Sequence, residues 1–253
     1  EKSLLWLYNL HYFDDLNAEH SVQRLIAHRA LIGHWLQNNP VASGVGWQPY
    51  PVSLRIVNWV KWLLAGNEPV PGMLDSLFQQ AHMLSQQLEY HLQGNHLLAN
   101  AKALLFAGSC FEGELAELWL TKGLELLSQQ HREQILADGA HFELSPMYHA
   151  IILMDVLDII QLGECYPSGA VNEKLLALRD SATSMVKWLE GMLHPDGDIA
   201  FFNDTAFGIA PCPADILEYA NKLGVARPLV HGVATHYDAS GYIALRQHSQ
   251  VAL

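Results

Sequence analysis

The segment 146–162 constrains this chain more than any other, because it is apolar nearly all the way round. Ser145 is placed to cap it and Pro146 to occupy the first helical position, where the missing N–H costs nothing. Met147, Ile151, Ile152, Met154, Val156, Leu157 and Ile159 then fall on every side of the helix. Such a helix has no face to turn to water and must be wrapped by others. A chain that carries it has to build a layered helical domain.

The rest of the sequence supplies the wrapping. A 3.6-residue period runs over about 20–38 and stops at Asn38-Asn39-Pro40. Further helices are predicted over about 52–65, 74–92, 95–107, 113–130, 171–194 and 213–223. Gly94 ends one of them and Asn95 is placed to cap the next. Asp138-Gly139 and Pro195-Asp196-Gly197-Asp198 read as turns. Residues 1–16 are aromatic and irregular, a short packed segment. No sequence repeat is evident. Helical hairpins of this kind form either a right-handed array or a ring with inner and outer layers, and the alternation of all-round apolar with amphipathic helices favours the ring. After Gly232 the grammar changes to strand-like alternation, with one strand at about 241–247 and a second at 250–253. A strand needs a partner, so a sheet domain is expected to continue beyond Leu253. The expected domains are therefore 1–232, helical, and 233–253, the start of a truncated sheet domain.

Half of the 253 residues are apolar, enough for a substantial core, and only 16% are charged. The net charge of -12 excludes nonspecific nucleic-acid binding, which needs a basic face, and disfavours a highly sulfated substrate. Seven Trp and nine Tyr either pack the core or offer platforms for sugar rings. Cys110, Cys165 and Cys212 have no metal-binding spacing and allow at most one disulfide. No apolar run is expected to span a membrane. The chain starts at Glu1 without a Met, as a fragment or processed chain would.

Two polar clusters stand at predicted helix starts. One is Glu89-Tyr90-His91 followed by Gly94-Asn95-His96 and Asn100; the other is His141, Glu143, Tyr148 and His149. Asn, His and Tyr together suit removal of a proton beside a carboxylate. A neutral amide can hydrogen-bond the carboxylate as enolate-like charge develops, and a phenol or imidazole can move protons. A lone His or Tyr at a helix start is usually a capped structural residue, and Asn95 reads equally as an N-cap, so the evidence is the conjunction of the two clusters. Arg55, Trp59 and Trp62 share a helical stripe, which either lines a cleft or packs two indoles in the core under a snorkelling guanidinium. Asp196, Asp198 and Asp204 are either turn residues or a hydrolase pair.

Four motifs are similar to those of one family. They are Trp6-Leu7-Tyr8-Asn9-Leu10-His11-Tyr12-Phe13, Pro49-Tyr50-Pro51-Val52-Ser53-Leu54-Arg55, Gly94-Asn95-His96-Leu97-Leu98-Ala99-Asn100 and Ser145-Pro146-Met147-Tyr148-His149. With them the chain resembles the heparinase II/III-like polysaccharide lyases along nearly its whole length. The resemblance implies an all-α, incomplete (α/α) toroid of helical hairpins, followed by an antiparallel β-sandwich of which only the start is present. It implies β-elimination on an anionic, uronic-acid-containing polysaccharide such as a glycosaminoglycan. It implies Asn95 as the amide that neutralises the carboxylate, matches His96 to the His that follows that Asn in some of these lyases, and implies Tyr148 as base, acid or both; by its chemistry His96 is the base or a second carboxylate donor. Arg55, Trp59, Trp62, Glu143 and His149 are the expected substrate-binding residues. No cofactor or metal is expected in this segment; a divalent metal and a second catalytic His would belong to the sheet domain, so the segment alone is expected to be weak or inactive. The family pattern has an Arg where Leu144 stands, and its loss removes a positive charge. The compartment implied is the periplasm, with the cytoplasm as the alternative. The rival functions are a silent glycan-binding or polysaccharide-assembly protein of the same fold, and an α-toroid glycoside hydrolase.

Overall fold

Burying apolar helix faces organises each of the two units into which the chain divides in a computed structural model, residues 1–128 and 129–253. The structure describes residues 2–92, 94–165, 169–226, 233–247 and 250–252. The expected turn at Pro167-Ser168 and the expected domain boundary at Gly232 lie outside the described residues.

The first unit contains α1 (Leu4–Asn9), α2 (Leu25–Asn38), α3 (Pro49–Leu64), α4 (Met73–Gln86) and α5 (Gly94–Cys110), and α6 (Glu114–Gln134) begins in it. Helix α3 packs against α4 and α5. Its buried side carries Val52, Ile56, Val57, Trp59 and Val60. Trp59 meets Phe13 and Trp35 edge to face, with ring centroids 5.5 and 5.6 Å apart. Helices α5 and α6 approach closely where side chains are smallest. A Cβ on Gly108 would lie 2.8 Å from the Ala116 carbonyl oxygen, so only glycine fits there. The first segment differs from expectation. Tyr12, Phe13 and Leu16 are buried, whereas Leu4, Leu5, Trp6 and Leu10 on and beside α1 are exposed.

The second unit contains α7 (Pro146–Cys165), α8 (Gly169–Leu176), α9 (Arg179–Gly191), α10 (Pro213–Lys222) and strands β1 (Ala234–Tyr237), β2 (Tyr242–Gln247) and β3 (Gln250–Ala252). Helix α7 packs against α8, α9 and α10 and buries Ile152, Leu153, Val156, Leu157 and Ile160, as its all-round apolar sequence requires. It is also long and apolar enough, by length and composition alone, to cross a membrane, contrary to the expectation that no run would be. Within its most apolar window 78% is buried inside the protein, the signature of a core helix. The single helix expected over 171–194 is two, α8 and α9, separated at Ala177-Leu178.

The strands form an antiparallel sheet in the order β1-β2-β3, with Tyr237 opposite Tyr242 and Leu245 opposite Ala252. Trp188 anchors the first hairpin to α9, packing with Ala140, Met192, Tyr237 and Ala244. Polar bonds fix the docking. Asp138 accepts from the Ser240 N–H at 2.7 Å and from its hydroxyl at 2.8 Å. A guanidinium nitrogen of Arg246 donates to the Glu190 and Gly191 carbonyls at 2.7 and 3.0 Å, satisfying the end of α9.

Candidate functional site

The first polar cluster surrounds the start of α5. The body of this helix, from Leu97 to Gly108, is buried, while Asn95 and His96 in its first turn are half-exposed. The helix begins at Gly94, which takes the left-handed φ of 55°, so Asn95 stands inside the first turn and does not cap it. The Asn95 amide donates to the Tyr50 hydroxyl at 3.5 Å, and the Tyr50 ring lies against the His96 imidazole, centroids 4.3 Å apart. His96 Nδ1 is 3.1 Å from Glu89 Oε1. Asn100, one turn on, is fully buried; it accepts from the Glu89 N–H and donates to Ser53 and Glu89, so it serves the interior.

The second cluster is built by two turns of the same design. Ile135 bridges His141 and Leu193 bridges Ile199, an offset of 193 − 135 = 199 − 141 = 58 residues. Each turn has Asp-Gly at its tip, with φ of 91° at both Gly139 and Gly197. The strand-like tails of both turns meet at the start of α7. Ser145 caps that helix through the Tyr148 N–H at 3.4 Å and lies 2.9 Å from the Thr205 hydroxyl. Leu144 holds a left-handed φ of 56°, which is uncommon for a residue with a Cβ. Its carbonyl is secured by the Asn203 amide at 2.8 Å and the Tyr242 hydroxyl at 3.0 Å.

This arrangement puts Asp204 beside Tyr148. Burial raises the half-buried phenol above its ordinary pKa, and the Asp204 and Glu143 carboxylates and a hydrogen bond to Asp204 raise it further. Tyr148 is therefore a group that keeps its proton. Asp204, read from the sequence only as a turn residue or one of a hydrolase pair, is thus a partner of Tyr148. Its signal was the repeated Asp-Gly turn, which carries Asn203-Asp204 to where Glu143-Leu144-Ser145 stands. Asp196 and Asp198 are exposed turn residues, with Asp196 Oδ1 accepting from the Asp198 N–H at 3.0 Å.

Four expected substrate-binding residues are corrected by their burial. Arg55, Trp59 and His149 are fully buried and Trp62 is 2% exposed. Arg55 donates to Gln80 Oε1 at 2.8 Å and to the His11 carbonyl at 3.3 Å, and lies 4.0 Å above the Trp35 ring. It is a core guanidinium whose stripe binds protein aromatics. His149 accepts from the His141 N–H at 3.2 Å and donates to the Met185 carbonyl at 2.9 Å. Of that set only Glu143 remains half-exposed, close to Tyr148. Asn95 and His96 belong to the first unit and Tyr148 to the second. Among the described residues no three His, Cys, Asp or Glu side chains converge as metal ligands.

The family model described as Heparinase II/III N-terminus matches residues 25–210. The heparin-sulfate lyase of Pedobacter heparinus is 33% identical over 68% of this chain and 27% of its own length. That of Bacteroides stercoris is 26% identical over 62% of this chain and 24% of its own length. The chain thus spans about a quarter of the curated relatives it matches. Among solved structures, heparinase III is similar with a TM-score of 0.69 at 22% identity, over 92% of this chain and 40% of that one. A heparan sulfate lyase from Pedobacter heparinus gives 0.61 at 23% identity, over 97% and 43%. The likeness shows the fold class: mostly helical, with a small antiparallel sheet at the C-terminal end, as in the toroid-containing heparinase III structures.

Proposed function

The chain belongs to the heparinase II/III family through its N-terminal domain, and from that premise we propose that it is part of a polysaccharide lyase that cleaves a uronic-acid-containing polysaccharide by β-elimination. The observation that carries the reading is the start of α5, where the polar side chains of Asn95 and His96 come to the surface in the first turn of a helix buried from Leu97 to Gly108, within the matched region. The homologous heparin-sulfate lyases support the class of reaction.

In this reading the Asn95 amide hydrogen-bonds the uronate carboxylate and stabilises the charge that develops on it. A base removes the proton on C5, the electron pair of that C–H bond becomes the C4=C5 double bond, and the C4–O bond breaks. The leaving glycosidic oxygen takes a proton from the Tyr148 hydroxyl. A raised phenol pKa suits this acid role better than that of a phenolate base. The net charge of -12, with Leu144 in place of a basic residue, favours a uronate with little sulfation.

The test is turnover by the full-length protein on a panel of uronic-acid polymers, read as ultraviolet absorbance of the unsaturated uronate. Growth of that absorbance is expected, with loss on the order of a hundredfold or more in Tyr148→Phe and substrate binding retained. New reducing ends without the absorbance mean hydrolysis, and binding with neither means a silent module; both results overturn the proposal.

A further inference from the structure

We propose that Glu89 is a positioning residue that fixes the ring orientation and tautomer of His96, presenting Nε2 outward as a proton acceptor. Glu89 is 5% exposed, in the loop before α5, and a carboxylate so placed must have both oxygens bonded. They are. Oε1 faces His96 Nδ1 at 3.1 Å and Oε2 accepts from Asn100 Nδ2 at 2.9 Å.

The second of these bonds determines the first. Asn100 is fully buried, and its Oδ1 accepts from the Glu89 N–H at 2.9 Å. That fixes the amide the other way round on its second side, so Nδ2 must point its protons at Ser53 Oγ, 3.0 Å away, and at Glu89 Oε2. The carboxylate is thereby held in one orientation, with Oε1 toward the imidazole. A carboxylate accepts and does not donate, so Nδ1 of His96 carries a proton. In the neutral ring Nε2 is then the lone-pair nitrogen. Tyr50, stacked at 4.3 Å, limits rotation of the ring. The His96 side chain is 29% exposed and that of Glu89 only 6%, so the ring reaches solvent where its partner does not. No protein group among the described residues hydrogen-bonds Nε2.

The inference rests on the lyase reading for its chemistry and assigns His96 the base role there. Nε2 takes the C5 proton, the C–H pair forms the C4=C5 bond, and the Glu89 carboxylate stabilises the imidazolium formed. The geometry disfavours the alternative in which His96 donates to the substrate carboxylate through Nε2, since the neutral ring's single proton is on Nδ1.

Glu89→Gln is the discriminating variant because it keeps the shape and removes one acceptor. The amide oxygen is needed by Asn100 Nδ2, which leaves the amide N–H₂ facing His96 Nδ1. Nδ1 must then accept, and the ring proton moves to Nε2. Nitrogen-15 NMR of histidine-labelled full-length protein, with the His96 signals assigned by His96→Gln, reads this directly at a pH where the ring is neutral. The expected result is the Nδ1–H tautomer in the wild type and Nε2–H in Glu89→Gln. An Nε2–H wild type overturns the proposal without reference to any variant, and so does an unchanged tautomer in a folded Glu89→Gln. In the absorbance assay kcat should fall on the order of a hundredfold or more with KM within a few-fold. Unchanged kcat also overturns it. If the wild type turns over no uronate, the lyase reading falls, and the tautomer measurement still decides the role of Glu89.

Discussion

His149→Gln should flatten the acid side of the stability curve. His149 is fully buried, and both ring nitrogens are committed: Nδ1 accepts from the His141 N–H at 3.2 Å and Nε2 donates to the Met185 carbonyl at 2.9 Å. A second proton would have to sit on Nδ1, facing another N–H. Burial is the largest cause that lowers the pKa from 6.5 to about 4; the Met185 carbonyl and the Asp138 charge act in the opposite direction. The folded ring thus binds its proton less tightly than the unfolded one. The stability it contributes is whole above about pH 6.5 and is lost as pH falls toward about 4, below which both states are protonated. The window is 6.5 − 4 = 2.5 pH units wide, which at about 1.4 kcal/mol per unit amounts to about 3 kcal/mol. That is a large part of the ~5–15 kcal/mol typical of a domain. Glutamine can accept from the His141 N–H and donate to Met185 without titrating. Urea unfolding of the full-length protein at a series of pH values from about 7.5 to about 4.5 should show the wild type losing about 2–3 kcal/mol more than the variant. His141, pushed to about 3 by burial and then by His149, loses stability over the same range in both proteins and so cancels from the difference. Parallel curves for the two proteins, within about 0.5 kcal/mol, would mean that His149 does not drive the acid loss of stability.

Asp204→Asn removes a carboxylate that raises the Tyr148 pKa, so the phenol should ionise at lower pH. If Tyr148 is the acid, activity is lost as pH rises through its pKa, and the alkaline limb of the full-length protein's pH–rate profile should move to lower pH; an unmoved limb or one moved upward contradicts this. Arg55→Ala should lower stability by about 1–3 kcal/mol in thermal or urea unfolding, because Gln80 and the His11 carbonyl lose a buried donor. A variant that keeps its stability but raises KM would return Arg55 to the substrate cleft.

Much of the local order was legible because it rests on nearest-neighbour chemistry. Ser145-Pro146 announced the start of α7, the apolar run announced its burial, and Asp-Gly announced both turns. Asn95, His96 and Tyr148 were legible as polar side chains at helix starts, and all three are half-exposed there. The misreadings occurred where one pattern serves two environments. The Arg55, Trp59, Trp62 stripe has the same spacing whether it faces a cleft or a core. Only the packed positions of Trp35, Gln80 and the His11 carbonyl decide for the core. Helices α8 and α9 read as one because an amphipathic period continues across their junction.

By itself, then, the sequence determined the helical class, the burial of α7 and the chemistry available at two helix starts, since periodicity and capping act over a few residues. The tertiary structure decided which of those groups have partners. Asn100 and Ser53, 47 residues apart, orient Glu89 under His96, and a turn 58 residues further on brings Asp204 to Tyr148. Such pairings depend on which helices come to lie side by side, and no local pattern in the chain records that.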